Sequence, residues 1–142
     1  MAFNPLIGIW RLQSFKITDQ EDRTIDVLGP HPVGYLIYTE DGYMSIQMMS
    51  ANRPFLSQDN LRTTGMEEKA RVAETYRGYF GRYTIADNKV IHHVEVGLIP
   101  NWINHELVRF FELQDDTLTL LVPNRIINGK QHSVRQVWKR TE

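Results

Sequence analysis

The run from Tyr79 to Leu98 restricts this chain more than any other part of it. Two β-rich segments, Tyr79–Ala86 and Lys89–Leu98, flank Asp87-Asn88, a pair suited to a tight hairpin turn. The turn sets the register, so that Ile85 faces Val90 and Tyr83 faces His92. With side chains alternating at a period of two, Tyr79, Gly81, Tyr83 and Ile85 share a face with Val90, His92, Val94, Val96 and Leu98. That face is apolar except for one imidazole and the tyrosine hydroxyls. It reads as the inside of a barrel with a small polar centre.

Further hairpin signals recur along the chain. Strands are expected at Leu6–Ile17, Val33–Thr39 and Tyr43–Met49, the last two joined through Glu40-Asp41-Gly42. Beyond the central hairpin, strands are expected at Glu106–Leu113, Thr117–Val122 and Gln131–Lys139, with turns at Gln114-Asp115-Asp116 and Asn128-Gly129. One helix is expected from Met66 to about Arg77, with Thr64 as its N-cap and Glu67 as the capping-box partner. Antiparallel strands joined by short turns favour closure, because a closed sheet has no unpaired edges. The fold class is therefore all-β: an antiparallel barrel of about eight strands with one inserted α-helix, expected to form a single domain over residues 1–142.

The totals narrow the function. A chain of 142 residues suffices for one domain with a real core and falls short of two. A net charge of −1 gives no electrostatic case for nucleic acid or an anionic membrane as partner. No apolar run reaches the ~18 residues needed to span a bilayer. The first residues carry neither a basic segment nor an apolar run, so no signal peptide is expected. The absence of cysteine excludes disulfides, thiol nucleophiles and thiolate metal sites, and a cytoplasmic location is the simplest expectation.

Metal and cofactor sites find no support. His92 and His93 are adjacent, so on a strand they point to opposite faces and cannot share one ion. His93 shares an outward face with Glu95, where a surface pair is expected, and His31, His105 and His132 are isolated. No phosphate-binding glycine loop or nucleophile elbow occurs, so neither a metal nor a cofactor is expected.

The polar exceptions on the inner face mark the candidate site. The Gln114–Asp116 turn pairs Leu113 with Leu118, which places Leu107, Arg109, Phe111, Leu113, Leu118, Leu120 and Val122 inside. A guanidinium on that stripe is costly unless it is paired or meets an anion. Three readings stay open: an internal network satisfied with Tyr83 and His92, an arginine at the barrel rim reaching water, or a seat for a ligand. Trp102, in the Pro100–Asn104 loop, either closes one barrel mouth over a ligand or anchors the loop to the rim. Met44, Ile46 and Met48 alternate on one strand and form either an adaptable apolar wall or ordinary core. The Glu40–Gly42 turn permits more than one register there.

Several stretches together resemble a known family. They are Gly8-Ile9-Trp10 in the first strand, Gly34 to Ser45, Tyr79-Phe80-Gly81-Arg82-Tyr83, His92-His93-Val94-Glu95, Pro100-Asn101-Trp102, and Arg135-Gln136-Val137-Trp138. Over nearly every strand the chain resembles the bacterial and fungal lipocalin-like domain family. The resemblance implies a barrel with an internal cavity. By similarity to true lipocalins it also implies a stack between Trp10 and a late arginine, Arg135 or, as a substitute, Arg140. It implies less about chemistry, because related barrels in natural-product pathways act as cyclases or isomerases.

Two functions are weighed. The first is binding of a small, largely apolar molecule, with an acidic one included, oriented by Tyr83, His92 and Arg109 and enclosed by Tyr79, Trp102, Phe111, Met44 and Met48. Arg109 suits a carboxylate, enolate or phenolate. The second is an isomerase or cyclase without cofactor acting on a polyketide- or terpenoid-like molecule. There His92 would move a proton while Arg109 and Tyr83 stabilise an enolate oxygen. A barrel filled by its own side chains is a third reading. A homodimer stays open, since no self-complementary surface can be named.

Overall fold

The computed structural model describes residues 3–141. Met1, Ala2 and Glu142, the ends of the expected 1–142 span, lie outside the described residues. In chain order the elements are β1 (Gly8–Asp19), β2 (Thr24–Asp26), β3 (Val33–Tyr38), β4 (Tyr43–Met49), α1 (Met66–Glu74), β5 (Tyr76–Ala86), β6 (Lys89–Gly97), β7 (Glu106–Gln114), β8 (Thr117–Ile127) and β9 (Lys130–Arg140). A 3-10 turn, Pro100–Trp102, lies between β6 and β7. All strand pairs are antiparallel in the order β2-β1-β3-β4-β5-β6-β7-β8-β9, and β1 also pairs with β9. Since β2 pairs only with Lys16–Thr18 of β1, the nine strands less β2 leave a closed ring of eight. The expected barrel with one inserted helix is what the chain forms.

The turn chemistry accounts for the ring. Asp87, Asp115 and Asn128 take positive φ at the hairpin corners, a region their short polar side chains tolerate better than most. The central hairpin has the expected register, with Ile85 opposite Val90 and Tyr83 opposite His92, and Leu113 faces Leu118. Met44, Ile46 and Met48 all point inward and are buried.

One end of the barrel is closed by side chains. Trp10 and Trp138 are fully buried there with Leu36, Tyr38, Met44 and Leu118. The Arg140 guanidinium lies 4.1 Å from the centre of the Trp10 ring. It also donates to the carbonyls of Ile7 at 2.9 Å and Pro5 at 2.8 Å. Gly8, with φ of +135°, leaves the space this needs: a Cβ there would stand 2.9 Å from an Arg140 nitrogen. Arg140 is thus the partner of Trp10, in place of Arg135. Val134, Gln136 and Trp138 point inward, and Arg135, out of phase with them, is exposed.

Three expectations change. First, a β-bulge between Phe80 and Gly81 sets Gly81 opposite Val94 and Phe80 opposite Val96. The extra residue on β6 turns Val96 and Leu98 outward, and Val96 is 65% exposed. Second, α1 ends at Glu74 because Tyr76 already begins β5, and no residue of the helix is buried. Third, the N-cap is Gly65 without a side-chain cap, while the Thr64 hydroxyl donates to the Asn60 carbonyl, so the Thr64–Glu67 capping box does not form. Among the described residues no helix is long and apolar enough to cross a membrane.

Replacing Arg140 by Ala removes the stack on Trp10 and two hydrogen bonds to carbonyls. A loss of about 2–3 kcal/mol is expected, against less than about 0.5 kcal/mol for Arg135→Ala. Urea unfolding of the two variants tests this, and equal losses would remove Arg140 as the lock of the closed end.

Candidate ligand cavity

His92 lies at the middle of the barrel interior, fully buried on β6. Its neighbours on β5 and β3 hold both ring nitrogens. The Tyr38 hydroxyl is 2.7 Å from Nε2 and the Tyr79 hydroxyl 2.6 Å from Nδ1. Burial drives the imidazole well below its ordinary pKa of 6.5, and the charges of Arg109 and His93 act in the same direction. Burial likewise raises both phenols, Tyr38 further than Tyr79, where the Arg109 charge opposes the rise. All three groups are therefore neutral near pH 7.

Neutrality fixes the direction of these bonds. A neutral imidazole offers one donor and one acceptor, and each phenol has one proton to place. Among the described residues, Tyr38 has no side-chain hydrogen-bond partner except His92. Its hydroxyl must donate to Nε2, or its proton would be buried without an acceptor. Nδ1–H then donates to the Tyr79 oxygen, and the Tyr79 proton is free to point away from His92.

Tyr79 lines a cavity of about 330 Å³, into which that proton can turn. That size is near the lower end of the range for small-molecule sites, about 300–1,000 Å³. The walls are apolar side chains such as Phe15, Ile17, Met48 and Val134, with Trp102 from the Pro100–Trp102 turn. Trp102 stands edge-on to Tyr79 at 5.9 Å, and the Arg125 guanidinium lies over its ring at 5.9 Å.

Three arginines reach this cavity, Arg77, Arg109 and Arg125, and no aspartate or glutamate lines it. Arg77 is fastened to the end of α1, donating to the carbonyls of Ala73 at 3.1 Å, Glu74 at 3.4 Å and Tyr76 at 2.7 Å. Arg109, half-buried on β7, has a 3.4 Å contact to the Val108 carbonyl and stands close enough to the Tyr79 hydroxyl to hydrogen-bond it and oppose the rise of its pKa, and among the described residues it forms no ion pair. Arg125 is also half-buried. Desolvation and the charges of Arg109 and Arg77 push its pKa below the ordinary arginine value.

The structure thus brings Arg109, Tyr79, Trp102 and Met48 to one cavity, with His92 directly behind Tyr79. It separates them from Tyr83, Met44 and Phe111, which do not line the cavity. Tyr83 belongs to the closed end, where its hydroxyl donates to the Thr39 carbonyl at 2.6 Å and accepts from Asn4 at 2.9 Å. Met44 pairs with Tyr38, itself opposite Gly8, at the same end. Phe111 packs against the core. Tyr38, Arg77 and Arg125 are the site residues sequence reasoning missed. Tyr38 could have been found, since it alternates with Leu36 on β3. Arg125 follows Pro123, which reads as a strand end, and is brought inward by a bulge between Val122 and Arg125.

A larger groove of about 770 Å³ lies outside the barrel, between α1 and the segment after β4, lined by Met49, Phe55, Leu61 and Val72. No buried polar group converges on it, so size does not make it the better candidate. Among the described residues no cluster of metal-ligating side chains occurs.

Residues 7–141 match the model of a family described as the lipocalin-like domain. A curated relative from Aspergillus oryzae, named 4'-hydroxy-3'-methoxypropiophenone carrier protein ppsC, is 29% identical over 106 residues, covering 68% of this chain and 96% of the relative. A lipocalin-like protein of known structure from Bacteroides uniformis is 12% identical, with a TM-score of 0.50 over 97% of this chain and 100% of that one. It shares the fold. A second solved structure, from Bacteroides eggerthii, is 13% identical with a TM-score of 0.48 over 96% of this chain and 99% of its own.

The buried imidazole makes stability depend on pH. Above its ordinary value of 6.5, His92 is neutral folded and unfolded and adds no slope. Below it the unfolded chain takes a proton that the native site refuses, so stability falls until the pH reaches the lowered native pKa. His92→Gln, which keeps a donor and an acceptor, should remove this component, up to about 1.4 kcal/mol per pH unit. Parallel urea-midpoint profiles of the two proteins between about pH 8 and pH 5 would contradict it.

Proposed function

The chain belongs to the lipocalin-like domain family, and from that premise we propose that it binds a small, largely apolar molecule bearing an acidic oxygen group. The observation that carries this reading is Arg109: a half-buried guanidinium, without a carboxylate partner among the described residues, on the wall of an otherwise mainly apolar cavity. Removing a guanidinium from water without a counter-charge is unfavourable, and a ligand anion supplies the missing partner. The aromatic pair of Tyr79 and Trp102 gives a flat apolar molecule two faces to pack against. The relative named as a carrier of a hydroxy- and methoxy-substituted propiophenone supports a ligand of this size and polarity.

The enzymatic alternative, a cofactor-independent isomerase or cyclase, asks His92 to exchange a proton with the substrate. His92 has both nitrogens engaged by tyrosines and stands behind Tyr79. It also stands apart from Tyr83's own partners at the closed end. Binding is therefore the reading this geometry supports better.

Native mass spectrometry of the protein from its own source should show an added mass that is lost on denaturation. In vitro, acidic aromatic ligands should quench the fluorescence of Trp102. Arg109→Ala should weaken them by about 10–100-fold, and neutral ligands of the same shape by much less. Equal losses for acid and neutral ligand would remove the ion pair from the reading.

A further inference from the structure

Arg109 alone calls for one negative charge, but the cavity holds more positive charge than that. Arg77 from β5 and Arg125 from β8 reach it as well. Every other element facing it is uncharged: β1 gives Phe15 and Ile17, β4 gives Met48, and β9 gives Val134 and Gln136. On β6, His92 is neutral and screened by Tyr79. The repulsion among the guanidinium groups is therefore left uncompensated by the described chain. Tyr79 adds a hydroxyl whose proton His92 does not use, because the imidazole donates to it.

We propose that the cavity takes a weak oxygen acid, a phenol or an enol, as its conjugate base, held by Arg109 and Arg125 with Tyr79 donating a hydrogen bond to the same oxygen. This rests on the binding function proposed above and names the ionisation state of the ligand. The balance is simple: the ligand O–H bond breaks, its electron pair stays on the oxygen as the anion, and the proton leaves to the buffer. Each group favours the anion over the neutral acid. The guanidinium charges attract it through a medium of lower dielectric than water, and the phenol donor has a stronger acceptor in O⁻ than in O–H. Arg77, tied to the helix carbonyls, adds its charge without giving up its own hydrogen bonds. Arg125, stacked on Trp102, is held where a flat ligand would meet it.

4-Nitrophenol tests this, since its phenolate absorbs apart from the neutral form. Titrated in the presence of excess protein, it should ionise at least about one pH unit below the free compound, equivalent to about tenfold tighter binding of the anion. Arg125→Gln and Tyr79→Phe should each reduce that shift, and Arg135→Gln, on the exposed outer face, should leave it intact. Circular dichroism confirms that the variants are folded. Bound 4-nitrophenol with an unchanged or raised pKa overturns the proposal. So does a lowered pKa that both cavity variants retain in full. The neutral probe N-phenyl-1-naphthylamine separates the two levels. If it binds while no shift occurs, the anion seat is wrong and small-molecule binding stands. If neither probe binds and no co-purified mass is found, both fall.

Discussion

The pairing of β1 with β9 is the constraint on which the rest depends. It joins the two ends of the chain, from Trp10 opposite Arg140 to Asp19 opposite His132. Without it both strands would be open edges, and the interior that holds His92 would be the face of an open sheet. β1 can close the ring because it is long enough to use its other edge twice, against β3 near Gly8 and against β2 near Lys16. Arg140 on Trp10 holds the closure at one end, leaving the cavity to the other.

The two ends also differ in how far the sequence discloses them. At the closed end simple alternation works. Tyr83 faces His92, Leu113 faces Leu118, and Trp10, Val90 and Trp138 are buried as a period of two requires. At the cavity end it fails for one recurring reason. A register shift in β1 between Leu12 and Ser14 turns Phe15 and Ile17 inward. The bulge in β6 turns Val96 outward, and Ile99 then lines the cavity. The bulge in β8 brings in Arg125 and Ile127. Each extra residue inverts the faces beyond it, and bulges favour places where a side chain is re-aimed towards a site. Arg109, on β7, where pairing is unbroken, is the arginine alternation found. Arg125 lies beyond a bulge and was invisible to it.

The polar interior is sorted by charge. The imidazole and the two phenols it touches satisfy one another and stay neutral, which lets them sit where water does not reach. The guanidinium groups sit where a cavity meets them, half-buried, with open donors. Had a carboxylate stood among them, the cluster would be a self-satisfied ion network with nothing left for a ligand. In the proposed binding, the apolar walls and the single-signed charge would define the seat together, and neither alone would select for an acidic molecule.

The two polar groups are coupled through Tyr79. The Arg109 charge helps to keep His92 neutral, and a neutral His92 leaves the Tyr79 proton free to turn to the cavity. An anion bound at Arg109 cancels part of the charge that disfavours protonation of the imidazole. Desolvation is the larger cause of its lowered pKa, however, and a ligand that fills the cavity keeps water out. With the proposed anion in place His92 would stay neutral, and the hydrogen-bond direction Tyr38 to His92 to Tyr79 to ligand would survive binding. A protonated His92 would need acceptors on both sides, and would turn Tyr38's own proton away from Nε2 into apolar core. The buried clasp is thus a fixed donor set in advance of any ligand, and in the binding proposed here it would orient the ligand without taking its proton.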